Sequence, residues 1–337
     1  MSACITVVGS LNMDLVVRSP RIPQPGETII GGEFRTAPGG KGANQAVAAA
    51  RLGGQVSMVG RVGNDAFARS LVNGLAADGV DHAFVIQDPK AATGVAFIVV
   101  DDAGENSIVV ASGANMRLSP ADVDAAEAAI SAADVLLVQL EVPLTAVVQA
   151  ARAAHAHGAM VILNPAPACP LPHELLSLVD VLVPNESETA LLTRLPVGAL
   201  PEIEAAAMAL CDLGVDTVML TLGEQGALLV EKGETELVPA FEVTPVDTTA
   251  AGDAFVGGFA LALAEGRSLT DAVRWGNAAG ALATTKLGAQ PSLPTRKAVE
   301  ALIAQGNTES LAGDILSIKQ VKNGNCSGYS SLDTESH

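Results

Sequence analysis

The chain has 337 residues, 49% of them hydrophobic and 17% charged, with 19 Lys and Arg against 37 Asp and Glu for a formal net charge of −18. That apolar content excludes a disordered chain and is ample for one large α/β domain or two smaller ones. The acidic balance argues against sequence-independent nucleic-acid binding and against a basic membrane-surface protein, while leaving room for a phosphorylated ligand held by a few cations or backbone amides.

In chain order, the apolar run Ile5–Val8 reads as a strand. Residues 11–36 depart from it, with the alternating run Asp14 to Arg18, then Pro20, Pro23, Pro25 and Gly26, then Thr28 to Ile30. A helix is expected at 41–52, a strand at Val56–Val59 and a helix at 65–78. Residues 93–111 alternate again, with a turn at Asp102 to Gly104. Both alternating segments read as antiparallel strands outside the main sheet, forming a small β lid. Ordinary edge strands would give the same pattern.

A helix follows at 119–131, then strand Val135–Leu140, helix 143–157 and strands Met160–Leu163 and Val181–Val183. Helices at 186–194 and 201–213 precede strands Val218–Leu222 and Ala227–Val230. Helices near 252–265, 269–286 and 294–304 close the folded part. The strands are nearly continuous apolar runs, as expected when both sheet faces are covered. Their alternation with helices predicts right-handed crossovers. The expected fold class is α/β, a Rossmann-like three-layer sandwich with a mostly parallel central sheet and a small β-sheet lid. One domain covers 1–306. Residues 307–337 are polar and rich in Ser, Asn and Gly, and read as a poorly ordered tail.

Cys4, Cys169, Cys211 and Cys326 form no CxxC pair and have no clustered His beside them, so a zinc site or disulfide framework is not expected. A reducing cytoplasm fits best. The apolar run Cys4 to Gly9 is too short for a secretory leader, and no run approaches the ~18 apolar residues of a membrane span.

Two segments can carry chemistry. In Gly39-Gly-Lys-Gly-Ala-Asn44 the residue after Lys41 is glycine, where a P-loop needs Ser or Thr, and the glycine spacing is not that of a dinucleotide fingerprint. Such glycines can mark only a tight turn. They also free the backbone to approach a ligand, with helix amides and Asn44 next in line. The second segment, Asp247-Thr-Thr-Ala-Ala-Gly-Asp253, precedes the apolar helix Ala254–Ala264. The amides of Ala250, Ala251 and Gly252 can converge on an anion at a helix start. Asp253 can merely favour the helix dipole, or it can accept a proton from a substrate hydroxyl while the turn holds the charge of a transferring group.

With these two motifs in order, the chain resembles the ribokinase family of sugar and nucleoside kinases over residues 4–305. Shorter matches are Gly9-Ser-Leu-Asn-Met-Asp14, Gln139-Leu-Glu141, Asn164-Pro-Ala-Pro167, Pro184-Asn-Glu-Ser-Glu188, Thr221-Leu-Gly223 and Gly288-Ala-Gln-Pro-Ser292. The resemblance implies ATP-dependent phosphorylation of D-ribose at its 5-hydroxyl. It implies a sugar site of Asn12, Asp14, Gly40, Lys41, Asn44 and Glu141, with Asp253 as general base and an anion hole at Ala250, Ala251, Gly252 and Asp253. ATP would be bound by Asn185, Thr221, Gly223, Gly226, Gly252 and Asn277. Glu188, expected to share a helix face with Asn185, would hold Mg²⁺ through water. A K⁺ site would draw on Asp247, Thr249, Ala283, Lys286, Gly288 and Ser292. The β lid itself suggests a homodimer, with the exposed edges of two lids pairing. Pro38, directly before the glycine pair, departs from the family pattern and puts fine specificity in doubt. A kinase for deoxyribose, another pentose, a ketohexose or a nucleoside remains open, as does a catalytically silent sugar- or nucleotide-binding protein on the same fold.

Overall fold

A computed structural model describes residues 3–306. The expected tail at 307–337 lies outside the described residues. Strand β1 (Cys4–Val8) pairs in parallel with β4 (Gln55–Gly63) on one side and β8 (Val135–Val138) on the other. The alternation of its side chains explains the layers. Ile5 and Val7 pack into one core, and Val8 packs into a second on the opposite face. In β8, Val135 and Leu137 go to the first core, Leu136 and Val138 to the other. Both faces are apolar because helices cover both.

Among the described residues the main sheet has nine strands. From one edge they run β5 (Asp81–Asp88), β4, β1, β8, β9 (Met160–Leu163), β10 (Val181–Leu182), β11 (Thr217–Thr221), β12 (Ala227–Glu231) and β13 (Glu234–Val238). Pairing is parallel up to β11 and antiparallel for β11–β12 and β12–β13. The first core is covered chiefly by α1 (Lys41–Arg51), α2 (Ala66–Ala77), α9 (Ala251–Ala264) and α10 (Leu269–Thr284). The second is covered chiefly by α3 (Pro120–Ala125), α4 (Glu127–Ser131), α5 (Leu144–His157) and α8 (Leu200–Cys211), with short α6 (His173–Leu176) packed against α5. Helices α7 (Glu186–Thr193) and α11 (Ala289–Ser292) lie at the strand ends that carry the site, and residues 296–306 are again helical.

A second sheet of four strands has the order β3 (Phe34–Gly39), β2 (Asn12–Arg18), β6 (Gly94–Val100), β7 (Asn106–Ala111). The segment 93–111 supplies the antiparallel pair β6–β7 as read from its pattern; in the first segment β2 pairs antiparallel with β3 at Phe34–Gly39, while the expected strand at Thr28 to Ile30 is irregular. The pair that joins them, β2–β6, is parallel. Register places Asp14 beside Ala37 and Ala96 on one face, with Leu15, Phe97 and Val109 on the other.

Several boundaries differ from the sequence reading for local reasons. The expected helix 119–131 breaks at Ala126, whose N–H returns three residues to the Val123 carbonyl (2.9 Å). The expected strand 135–140 stops at Val138, and Leu140 N–H then bonds Ala166 O (3.0 Å). Helix 269–286 ends at Thr284, whose carbonyl receives the N–H groups of Val246 (2.7 Å) and Asp247 (3.0 Å). Strands β5 and β13 carry too many polar residues to register as apolar runs, and both are sheet edges.

Candidate active site

The site gathers where the carboxyl ends of the parallel strands meet the second sheet and the starts of α1 and α9. Its first part is the glycine-rich turn. Gly40 has φ of +90° and caps α1. A Cβ on Gly39 would lie 2.4 Å from Asp14 Oδ2, and one on Gly42 would lie 2.6 Å from Ser10 N. The turn is therefore pressed onto the loop between β1 and β2, and only glycine fits there. Through this contact Asn12, Asp14, Lys41 and Asn44 share one wall.

Glu141 faces them from the loop after β8. Its Oε2 accepts from Ser10 Oγ (2.5 Å), from Lys41 N–H (3.2 Å) and from Asn12 Nδ2 (3.4 Å). Asp14 is buried, and burial together with the negative charges of Glu141 and Asp253 pushes its pKa up to about 7. Burial pulls the Lys41 ammonium down. The carboxylates of Asp253, Glu141 and Glu188 more than offset this, so Lys41 stays charged above its ordinary value. Lys41 thus stands between the acidic groups on both sides of the site.

The second part is the start of α9. Ala250 adopts the left-handed conformation (φ 60°, ψ 13°), which is strained for any residue with a Cβ. Ala251 N–H returns to Thr248 O (3.2 Å) and Ala254 N–H to Ala250 O (2.9 Å). The amides of Gly252 and Asp253 are left at the helix end, where an anion is favoured. Asp253 sits in this first turn, buried, and Asn44 Nδ2 donates to its Oδ2 (2.8 Å). Asn44 Oδ1 is buried without a hydrogen-bond partner and is available to a ligand donor. A buried carboxylate beside free helix-start amides is an arrangement that can accept a hydroxyl proton while negative charge is held nearby.

These features are those of a phosphotransferase with a polyhydroxyl acceptor, and relatives bear on that reading. Residues 3–296 match the pfkB family carbohydrate kinase. The chain belongs to this family. Ribokinase of Haemophilus influenzae is 46% identical over 297 residues, covering 88% of this chain and 97% of that protein. Deoxyribokinase of Salmonella typhi is 39% identical, covering 86% and 95%. Among solved structures, Arabidopsis thaliana ribokinase complexed with ribose and ATP superposes with a TM-score of 0.83 at 36% identity, covering 90% of this chain and 99% of that one. The chain is an ATP-dependent sugar kinase of the pfkB family, whose reaction uses a nucleotide with a divalent metal ion.

Of the remaining expected residues, Glu188 lies close enough to Lys41 and Asp253 for their charges to act on its carboxyl. Asn185 lies in a β-bridge with Thr221, so the 185–188 and 221–226 segments are neighbours. Asn185 caps α7 rather than sharing a helix face with Glu188. Its Oδ1 accepts Glu188 N–H (2.8 Å), and Glu188 Oε2 accepts Asn185 N–H (2.9 Å). Burial raises the Glu188 carboxyl, against the pull of this hydrogen bond and of Lys41. Gly223 and Gly226 have positive φ, and Leu222 N–H closes their turn on Gly226 O (2.8 Å). Asn277, expected near the adenine, gives both amide hydrogens to the Val238 (3.0 Å) and Pro239 (3.1 Å) carbonyls. It fastens that segment instead of offering those donors to a base. Trp275 is stacked under Arg267 and Arg296, a packing role.

At the expected cation site, Asp247 Oδ1 accepts from Thr249 N–H (2.9 Å) and Oγ1 (2.6 Å), and Oδ2 accepts from Gly288 N–H (2.8 Å). Burial tends to raise the Asp247 carboxyl, but these bonds and Arg35 hold it below its ordinary value. Ala283 and Ser292 are buried, and Lys286 N–H reaches back to Ala283 O (3.4 Å).

Sequence reasoning assigned no role to Ser10, Gln45, Asn115, Gln139 or Asn164. Asn115 Nδ2 bonds Asn12 Oδ1 (2.7 Å), so Asn12 presents its Nδ2 toward the pocket. Gln139 and Asn164 directly follow apolar strands. A polar residue at the carboxyl end of a buried strand is the signal that could have found them.

Proposed function

We propose that this chain transfers the γ-phosphoryl group of ATP to the 5-hydroxyl of D-ribose, giving D-ribose 5-phosphate and ADP. The observation that carries the reading is the Asn44–Asp253 hydrogen bond. It joins the glycine-rich turn of the polyhydroxyl pocket to the anion-binding start of α9, so one carboxylate serves both. In this reading Asn12, Asp14, Gly40, Lys41, Asn44 and Glu141 orient the sugar. Asp14 accepts from two hydroxyls and Asn12 donates.

Asp253 takes the 5-hydroxyl proton as the new O–P bond forms. The free amides of Gly252 and Asp253 hold the equatorial phosphoryl oxygens, the Ala251 N–H expected among them being bonded to Thr248 O, and Lys41 adds a cation between acceptor and phosphates. ATP lies along Asn185, Thr221, Gly223, Gly226 and Gly252. Asn277 holds the wall behind the base.

Mg²⁺ is the divalent ion of this reading. When bound it neutralises charge on the phosphates. Glu188 fits it, since Oε2 is taken by Asn185 N–H and Oε1 is left for a water of the ion. K⁺ is the monovalent ion of this reading, for which Asp247, Thr249, Ala283, Lys286, Gly288 and Ser292 would supply hard oxygen donors, chiefly backbone carbonyls. Bound there, it would support the shape of the anion turn that begins at Ala250, three residues after Asp247.

The exposed face of the second sheet supports a homodimer. Phe97 is 50% exposed and Val109 65%, every residue of β7 is exposed, and β7 is an open edge. No helix among the described residues is long and apolar enough to cross a membrane. Cys169 and Cys211 carry no disulfide. The cytoplasm, which supplies ATP and keeps thiols reduced, is the compartment we assign.

The test is ADP release with Mg-ATP over ribose, deoxyribose, fructose and adenosine, each with and without K⁺. K⁺-stimulated turnover on ribose is expected. Turnover on 2-deoxyribose alone would move the substrate, an alternative favoured by the 39% identical deoxyribokinase. Asp253→Asn is expected to keep ribose binding and lose most turnover. Near wild-type turnover would refute the general base.

A further inference from the structure

The Asp253 carboxylate is gripped from the protein side by two amides. Asn44 Nδ2 donates to Oδ2 (2.8 Å), and Gln45 Nε2 donates to Oδ1 (3.0 Å). Gln45 is fully buried and is the middle member of a chain of three side-chain amides. Its Nε2 also donates to Asn164 Oδ1 (3.1 Å). Asn164 Nδ2 donates to the Val183 carbonyl (2.9 Å), and Gln139 Nε2 donates to Gln45 Oε1 (2.5 Å). Gln139, Asn164 and Val183 each follow directly on β8, β9 or β10, three adjacent strands. Space for Gln139 depends on Gly9, where a Cβ would fall 2.1 Å from Gln139 Oε1.

The polarity of this chain has no freedom. A backbone carbonyl only accepts, so Val183 faces the nitrogen of Asn164, whose oxygen then faces Gln45. A carboxylate also only accepts. Both Asn164 and Asp253 therefore require the Gln45 nitrogen, and the Gln45 oxygen is left for Gln139. Flipping any one amide sets oxygen against oxygen or strands a buried N–H.

We propose that Gln45, aligned by Asn164 and Gln139, is a positioning residue for Asp253. It delivers an N–H to Oδ1 in a direction set by the ends of the sheet. The proposal rests on the reading of Asp253 as general base. The carboxylate torsion is broad when unconstrained, and a donor on each oxygen closes it. One lone pair per oxygen is committed to the protein, and the rest face the acceptor hydroxyl. Since only N–H groups face Asp253 from this side, the proton it takes from the hydroxyl has no acceptor in the amide chain. It returns to solvent from the pocket side.

Gln45→Met keeps side-chain length and removes donor and acceptor together. The experiment measures kcat at saturating ribose and Mg-ATP and ribose Kd by calorimetry, in the wild-type and Asp253→Asn backgrounds. Expected are a kcat loss of about 10- to 100-fold, the scale of a misplaced reacting group, and a ribose Kd within about twofold. Adding Gln45→Met to Asp253→Asn is expected to lower residual turnover no further, because Gln45 acts only through Asp253. Wild-type kcat, ribose affinity falling in step with kcat, or a further loss in the Asp253→Asn background would each overturn the proposal.

Gln45→Glu sets carboxylate against carboxylate and is expected to be slower than Gln45→Met. Should neither variant fold, Asn164→Ser, at the half-buried far end, carries the same comparison with an expected kcat loss of about fivefold and unchanged ribose Kd. Unchanged kcat in that variant would overturn the proposal. An inactive Asp253→Asn beside a fully active Gln45→Met overturns this proposal alone. A fully active Asp253→Asn overturns the general base and the proposal with it.

Discussion

Asp14→Asn should stabilise the unliganded protein at alkaline pH while destroying sugar binding. The Asp14 carboxyl is raised from 3.8 to about 7 by burial and by the charges of Glu141 and Asp253. Its folded pKa lies above its unfolded one, so the native state binds the extra proton between about pH 4 and pH 7. Stability therefore falls as pH rises through that window, and the whole penalty is present above pH 7. At about 1.4 kcal/mol per pKa unit, the rise to about 7 corresponds to a ceiling of about 4 kcal/mol. Water entering the open pocket lowers this, and about 2 kcal/mol is the expected measured gain at pH 8. The introduced amide does not titrate, so the gain over wild type should shrink toward zero near pH 4. Urea unfolding of both proteins at pH 4.5 and pH 8 reads the difference directly. Equal stability at pH 8, or the same advantage at both pH values, would refute the burial argument. Ribose affinity should fall at least tenfold in the same variant, since hydrogen bonds to a charged acceptor are worth about 1.5–3 kcal/mol.

Other substitutions probe the turn, the anion site and the second sheet. Gly39→Ala drives a Cβ to 2.4 Å from Asp14 Oδ2, and is expected to weaken ribose binding at least tenfold with the KM for ATP unchanged; loss of both would point to unfolding of the turn. Ala250→Gly relieves the left-handed strain at φ 60°. Net of the added chain entropy it should stabilise by about 0.5 kcal/mol, and a lower melting temperature would contradict the strain assignment. Phe97→Asp with Val109→Asp places charge on the exposed face of the second sheet. It should convert a dimer to monomers by sedimentation, with an identical mass for wild type and variant counting against the interface.

Much of the architecture was legible because both faces of the central strands are buried. Val7 and Val8 point into different cores, and Leu136 and Leu137 do the same, so the runs are apolar throughout. Edge strands carry no such mark. β5 and β13 alternate or run polar, and only pairing reveals them. At the site, glycines announce themselves when backbone must meet backbone, as at Gly40 and Gly42. Amides do not. Gln45 reads as one more residue of a helix, and its meaning depends on Asn164, 119 positions away, and on the Val183 carbonyl. Asn185 and Glu188 were read as a pair from their spacing. The spacing of three is also that of a capping box, which the backbone bonds adopt.

The two halves of the site are built on different physics, and this explains where the chain departs from local stability. On the side proposed for the sugar, a buried carboxylate is crowded by two others and a buried Asn44 oxygen lacks a partner, and at the anion turn beside it an alanine is held left-handed. Each is a cost that a bound polyhydroxyl compound or a transferring phosphoryl group can offset. On the side proposed for the nucleotide, side chains are instead tied to the protein. Asn185 and Glu188 cap each other, and Asn277 is tied to two carbonyls. Binding energy there comes from backbone turns and phosphate charge rather than from side chains waiting for a base. Discrimination among substrates therefore resides with the acceptor. The residues that carry it are those the fold holds at a loss until the sugar arrives.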